Sequence, residues 1–115
     1  MGKFFLSFKY AFQGLFTLVK SERNFQIHLI ALITIVCLGC YFDISRFEWI
    51  AILLISATVL SAEAINSSIE KLSNHLHPEN HNAIKKVKDI AAGAVLVLAL
   101  FAIIIGLMIF MPYMQ

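Results

Sequence analysis

Charge is scarce in this chain. Of its 115 residues, 14% are Asp, Glu, Lys or Arg, against about 25% in soluble domains. The hydrophobic share is 60% and the mean hydropathy +0.84, so a water-soluble domain is excluded and an integral membrane protein expected. The net charge of +2 is too small to argue for nucleic acid. Glycine is also sparse. The five residues, Gly2, Gly14, Gly39, Gly93 and Gly106, form neither a Walker A loop nor a G-x-G-x-x-G fingerprint, and protein-kinase signatures are missing. Any nucleotide site must therefore be built another way. The two cysteines, Cys37 and Cys40, have the C-x-x-C spacing but no second ligand pair nearby. They read as apolar residues facing lipid or another helix.

What is there is organised by helical periodicity. In residues 3–20, Phe4, Phe5, Phe8, Phe12, Leu15, Phe16 and Val19 recur at helical spacing, with Lys3, Lys9, Gln13 and Lys20 largely between them. This predicts an amphipathic helix lying in the membrane interface. The segment lacks the compact apolar core and cleavage site of a signal peptide. Ser21 reads as the N-cap of the next helix. Three spans follow, at about 25–42, 47–72 and 90–111, separated by a short turn at 43–46 and a polar loop at 73–84. The last span is about 33 Å long at the helical rise, enough to cross a bilayer. The expected fold is all-α: a surface helix plus three transmembrane helices in one domain. So few helices bury little surface, so a polar site needs neighbouring subunits.

Positive charge gives the orientation. Lys3, Lys9, Lys20 and Arg23 precede the first span, and Lys71, Lys85, Lys86 and Lys88 lie between the second and third. Only Arg46 lies in the other loop. The N-terminus and second loop are therefore expected in the cytoplasm.

The second span ends in Glu63, Asn66 and Glu70, within roughly 60° of one another on a helix. An ionised group at membrane depth costs about 2.5–3.5 kcal/mol on insertion scales, so it is kept for work or for pairing. Two readings stay open from the residues. In one, the acids pair with lysines or asparagines and hold helices together. In the other, they serve phosphoryl transfer to a lipid alcohol. That chemistry needs a base at headgroup depth, carboxylates nearer water for Mg²⁺ and cations facing phosphate. Glu63 suits the first role by depth, Glu22 and Glu70 the second, and Lys88 the third, with Lys85 and Lys86 behind it. His28, His75, His77 and His81 lack regular metal-ligand spacing. A non-enzymatic transporter or assembly protein is the alternative. The outer half of the second span, which offers no ionisable group for a proton path, argues against it.

The run Glu63-Ala64-Ile65-Asn66-Ser67-Ser68-Ile69-Glu70 resembles a signature of the prokaryotic diacylglycerol kinase family, small integral-membrane lipid kinases. So does Lys88-Asp89-Ile90-Ala91-Ala92-Gly93-Ala94-Val95-Leu96. Ser21-Glu22-Arg23-Asn24-Phe25-Gln26-Ile27-His28 and the closing Ile105-Gly106-Leu107 to Met111-Pro112 resemble the Gram-positive-type, undecaprenol kinase branch. The resemblance implies a homotrimer with active sites shared between subunits and ATP, with Mg²⁺, as phosphoryl donor. It implies undecaprenol or diacylglycerol as acceptor, phosphorylated at the cytoplasmic face in lipid recycling. It makes Glu63 the proton acceptor, Glu22 and Glu70 the metal ligands, and Asn66, with Glu63, a substrate-binding residue. Tyr10, Glu22, Glu70, Glu79, His81, Lys88 and Asp89 would contact ATP, and Lys3 matches a basic surface-helix position. Asn74 and Ala11 depart from the family pattern, where Asp and Ser are common. Ala91, Ala92, Gly93 and Ala94 allow close helix approach.

Overall fold

The structure is a computed structural model that describes residues 1–76 and 81–115. Four helices follow in order: α1 (Gly2–Ser21), α2 (Arg23–Phe42), α3 (Arg46–Leu76) and α4 (Asn82–Phe110), closed by a 3₁₀ turn at Met111–Met114. Three segments, Arg23–Phe42, Arg46–Leu76 and Asn82–Met114, are long and apolar enough to cross a membrane. The four-helix, three-span arrangement matches the all-α membrane expectation. The chain measures 51 × 42 × 21 Å. Since one helix with side chains is about 10–12 Å across, the smallest extent is two helices deep. The chain is thus a slab that leaves most apolar side chains uncovered.

The α1–α2 junction differs from the expected Ser21 cap. Helix α1 runs through Ser21, whose hydroxyl donates back to the Thr17 carbonyl at 2.6 Å. Glu22 is the break, with φ −101° and ψ 110°. Its N–H donates to the Leu18 carbonyl at 2.9 Å, and its carbonyl accepts from the Gln26 N–H at 3.0 Å. One residue thus ends α1 and begins α2 through its backbone, without spending its carboxylate on the cap. The Gln26 side chain clasps the junction by donating to the Val19 carbonyl at 2.9 Å.

At the opposite end, Asp43 takes the left-handed conformation at φ 51° and ends α2. Ser45 and Glu48 then form a reciprocal capping box: the Ser45 N–H donates to Glu48 Oε1 at 2.9 Å, and the Glu48 N–H to Ser45 Oγ at 3.2 Å. This satisfies two otherwise orphan donors at the start of α3. Ile44, Ile52, Ile109 and Phe110 form a buried cluster beneath the turn, flanked by Ile35, Phe42 and Trp49. Gly39 is required here, because a Cβ would lie 2.6 Å from the Trp49 ring. Tyr113 donates its hydroxyl to Glu48, tying the chain end to the turn.

The expected loop at 73–84 is helical at both edges, since α3 continues to Leu76 and α4 starts at Asn82. At these edges Asn74, His75, His81 and Asn82 are exposed, while Ser73 is buried, on helices that leave the apolar zone without unwinding. A Lys85–Asp89 pair at 2.7 Å, one turn apart, supports the start of α4.

Candidate active site

Glu63, Asn66, Ser67 and Ser73 are the buried polar residues among those described, and all four belong to α3. Glu63 is 3% exposed and Asn66 4%. Their spacing of three and four residues places them, with half-buried Glu70, along one side of the helix. Asn66 Nδ2 donates to Glu70 Oε1 at 3.3 Å. Its Oδ1 is buried and meets no protein donor. An unpaired buried acceptor costs about 1–3 kcal/mol, so this stripe is not optimised for stability.

Helix α2 supplies the facing residues. His28 Nε2 lies 3.9 Å from Glu63 Oε2. Glu22 is held at the junction and accepts from Lys71 Nζ at 2.6 Å, joining the α1–α2 corner to α3. Glu22, His28 and Glu70 all act electrostatically on Glu63. The structure therefore gathers Glu22, Glu63, Asn66 and Glu70, as the sequence pattern proposed, and adds His28 and Lys71. Ser67 and Ser73 were also missed. The helical stripe already held their signal, since they fall four and ten residues beyond Glu63.

The residues assigned to nucleotide are more dispersed. Lys88 Nζ donates to Asn74 Oδ1 at 2.7 Å, which links the start of α4 to the same side of α3. Asp89 is exposed and engaged with Lys85. Exposed His81 stands at the N-cap position of α4, and Glu79 lies outside the described residues. Tyr10 is exposed on α1 and lines a groove of about 550 Å³ between α1 and α3, with Gly14, Thr17, Ser67, Ser68 and Lys71. Lys3 is exposed near the start of α1. A second, apolar cavity of about 300 Å³ lies between α2, α3 and α4, with His28 in its wall.

Among the described residues, no three His, Cys, Asp or Glu side chains are grouped as a self-sufficient metal site. Glu22 and Glu70 are a smaller set of hard oxygen donors. Such a pair fits Mg²⁺, which commonly takes one or two carboxylates and completes its shell with water and substrate phosphates.

Helices long and apolar enough to cross a membrane thus carry an interior carboxylate stripe and a lysine-rich helical extension. The sequence pattern of the family described as prokaryotic diacylglycerol kinase matches residues 9–110. The chain belongs to that family, and with it to the lipid kinases. It is 38% identical over 112 residues to undecaprenol kinase of Bacillus subtilis, covering 97% of this chain and 91% of that protein. A diacylglycerol kinase of Synechocystis is 28% identical over 108 residues, covering 93% of this chain and 62% of that one. The Escherichia coli K12 diacylglycerol kinase is 25% identical over 95 residues, covering 83% and 78%. These matches set aside the non-enzymatic alternative and support the undecaprenol kinase branch.

Proposed function

We propose that this chain transfers the γ-phosphoryl group of ATP, with Mg²⁺, to the hydroxyl of undecaprenol at the cytoplasmic face of the bacterial inner membrane, serving lipid recycling. Diacylglycerol is the competing acceptor. The observation that carries the reading is the burial of Glu63 at the end of an apolar span, within reach of His28 and on the same side as Glu70. A lipid hydroxyl is confined to that depth, whereas ATP arrives from water.

Glu63 takes the hydroxyl proton as the lipid oxygen bonds to phosphorus and the bond from phosphorus to the ADP oxygen breaks. Asn66 holds Glu70 with its amide N–H. Its open Oδ1 accepts from the lipid hydroxyl as it enters; the hydroxyl then turns its proton to Glu63 for transfer. Glu22 and Glu70 would hold Mg²⁺, which when bound would supply neutralisation of the phosphate charge. Lys88, oriented by Asn74, faces the phosphates; Tyr10, Glu79, His81 and Asp89 complete the nucleotide contacts. Helix α1, with no buried residue and a row of exposed phenylalanines, lies in the interface. Assembly as a homotrimer with sites shared between subunits rests on the family membership.

The test is a side-by-side assay of the purified chain with Mg-ATP and each lipid in the same detergent. Phosphorylation of undecaprenol in preference to diacylglycerol is expected. Preference for diacylglycerol overturns the acceptor assignment, and phosphorylation of neither overturns the activity.

A further inference from the structure

Three carboxylates, Glu22, Glu63 and Glu70, share one small region, and Glu22 and Glu70 act on the charge of Glu63. Like charges in a partly dry site repel strongly, so the site without metal needs a cation of its own. Lys71 meets that need. Its Nζ lies 2.6 Å from Glu22 Oε1, although the sequence marks it only as a membrane-flanking lysine. The pair is also poised to exchange. The Lys71 side chain is 56% exposed, and ion pairs this open are worth about 0–1 kcal/mol. Lys71 also lines the groove between α1 and α3, beside Tyr10, Thr17 and Ser68. It therefore has an acid on one side and, on the other, a largely apolar groove whose wall includes Tyr10, a proposed nucleotide contact.

We propose that Lys71 is a placeholder cation. It neutralises Glu22 while no divalent ion is present, then releases Glu22 and turns into the α1–α3 groove to ligate the nucleotide phosphates. The charge balance favours this exchange. With a dication at Glu22 and Glu70, the ammonium is repelled from the carboxylates and attracted by the polyanionic triphosphate. No bond is made or broken; one ion pair replaces another. The inference rests on the metal and nucleotide roles proposed above.

The test uses the full chain in detergent micelles and two binding measurements. Mn²⁺ alone is titrated by electron paramagnetic resonance, and a non-hydrolysable ATP analogue with Mg²⁺ by calorimetry. Lys71→Met should bind Mn²⁺ about two- to fivefold more tightly, because the competing cation is gone. The same variant should bind the analogue about three- to tenfold more weakly, because a charged phosphate contact is lost. Lys71→Arg should restore analogue binding toward wild type. Opposite movement of the two affinities is the signature, since a purely structural ion pair would shift neither, or weaken both. Unchanged Mn²⁺ affinity in Lys71→Met, with normal binding in wild type, overturns the placeholder alone. Absence of Mn²⁺ binding in wild type, or binding that Glu22→Gln leaves unaltered, overturns the metal assignment and the placeholder together.

Discussion

The two ends of the α2–α3 pair are built to opposite rules. At the Asp43–Ser45 turn, polar groups are matched. The capping box joins Ser45 to Glu48, Tyr113 also bonds Glu48, and apolar residues close the space beneath. At the Glu22–Glu70 end, a buried carboxylate stands 3.9 Å from a histidine, and an amide oxygen is buried without a donor. The first end is arranged for stability. The second keeps unsatisfied groups that a substrate can satisfy.

Substitutions at each end should separate activity from stability. The largest effect is expected from Glu63→Gln, which keeps shape and removes the base. Turnover of lipid should fall by about 10²–10⁴-fold, while thermal unfolding and oligomer size stay as in wild type. A variant with normal turnover would end the assignment of Glu63. Ile52→Ala should do the reverse. It opens a cavity in the buried cluster and should cost about 2 kcal/mol of stability, read as a lower unfolding midpoint in detergent, with turnover below that midpoint preserved. Loss is expected mainly from packing, because lipid tails solvate an isoleucine about as well as a helix neighbour does.

Asn74→Ala frees Lys88 from its partner and should raise KM for ATP about threefold to tenfold, the loss of one exposed hydrogen bond of about 0.5–1.5 kcal/mol, with kcat little altered. An unchanged KM would detach Lys88 from the nucleotide. The smallest effect should come from Ser45→Ala, which removes half of the capping box for about 1 kcal/mol. It should lower the unfolding midpoint slightly and leave both KM values alone. If Ser45→Ala impaired turnover as strongly as Asn74→Ala, the division between the two ends would fail.

The stripe of Glu63, Asn66 and Glu70 was legible because a straight helix converts sequence spacing directly into direction. Ser67 and Ser73 obey the same geometry and could have been read with it, had burial been asked of serine as it was of glutamate. The extension of α4 back to Asn82 was hidden because hydropathy marks only where a helix meets lipid. A helix does not end where the solvent changes; its polar turns continue into water, supported by pairs such as Lys85–Asp89. The junction was misplaced by one residue for a related reason. Ser21 has the chemistry of a cap but sits inside α1, where its hydroxyl finds its own helix.

By itself, the sequence determined what one helix or one composition can determine: membrane class, the number of spans, the line of acids and the membership carried by its motifs. The tertiary structure decided which side chains meet across helices. His28 reaches Glu63 over a separation of 35 positions, Lys71 reaches Glu22 over 49, and Lys88 reaches Asn74 over 14. The physical reason is that such meetings depend on how helices cross and on where one junction breaks. The break at Glu22, made through its backbone, leaves its carboxylate available to the site.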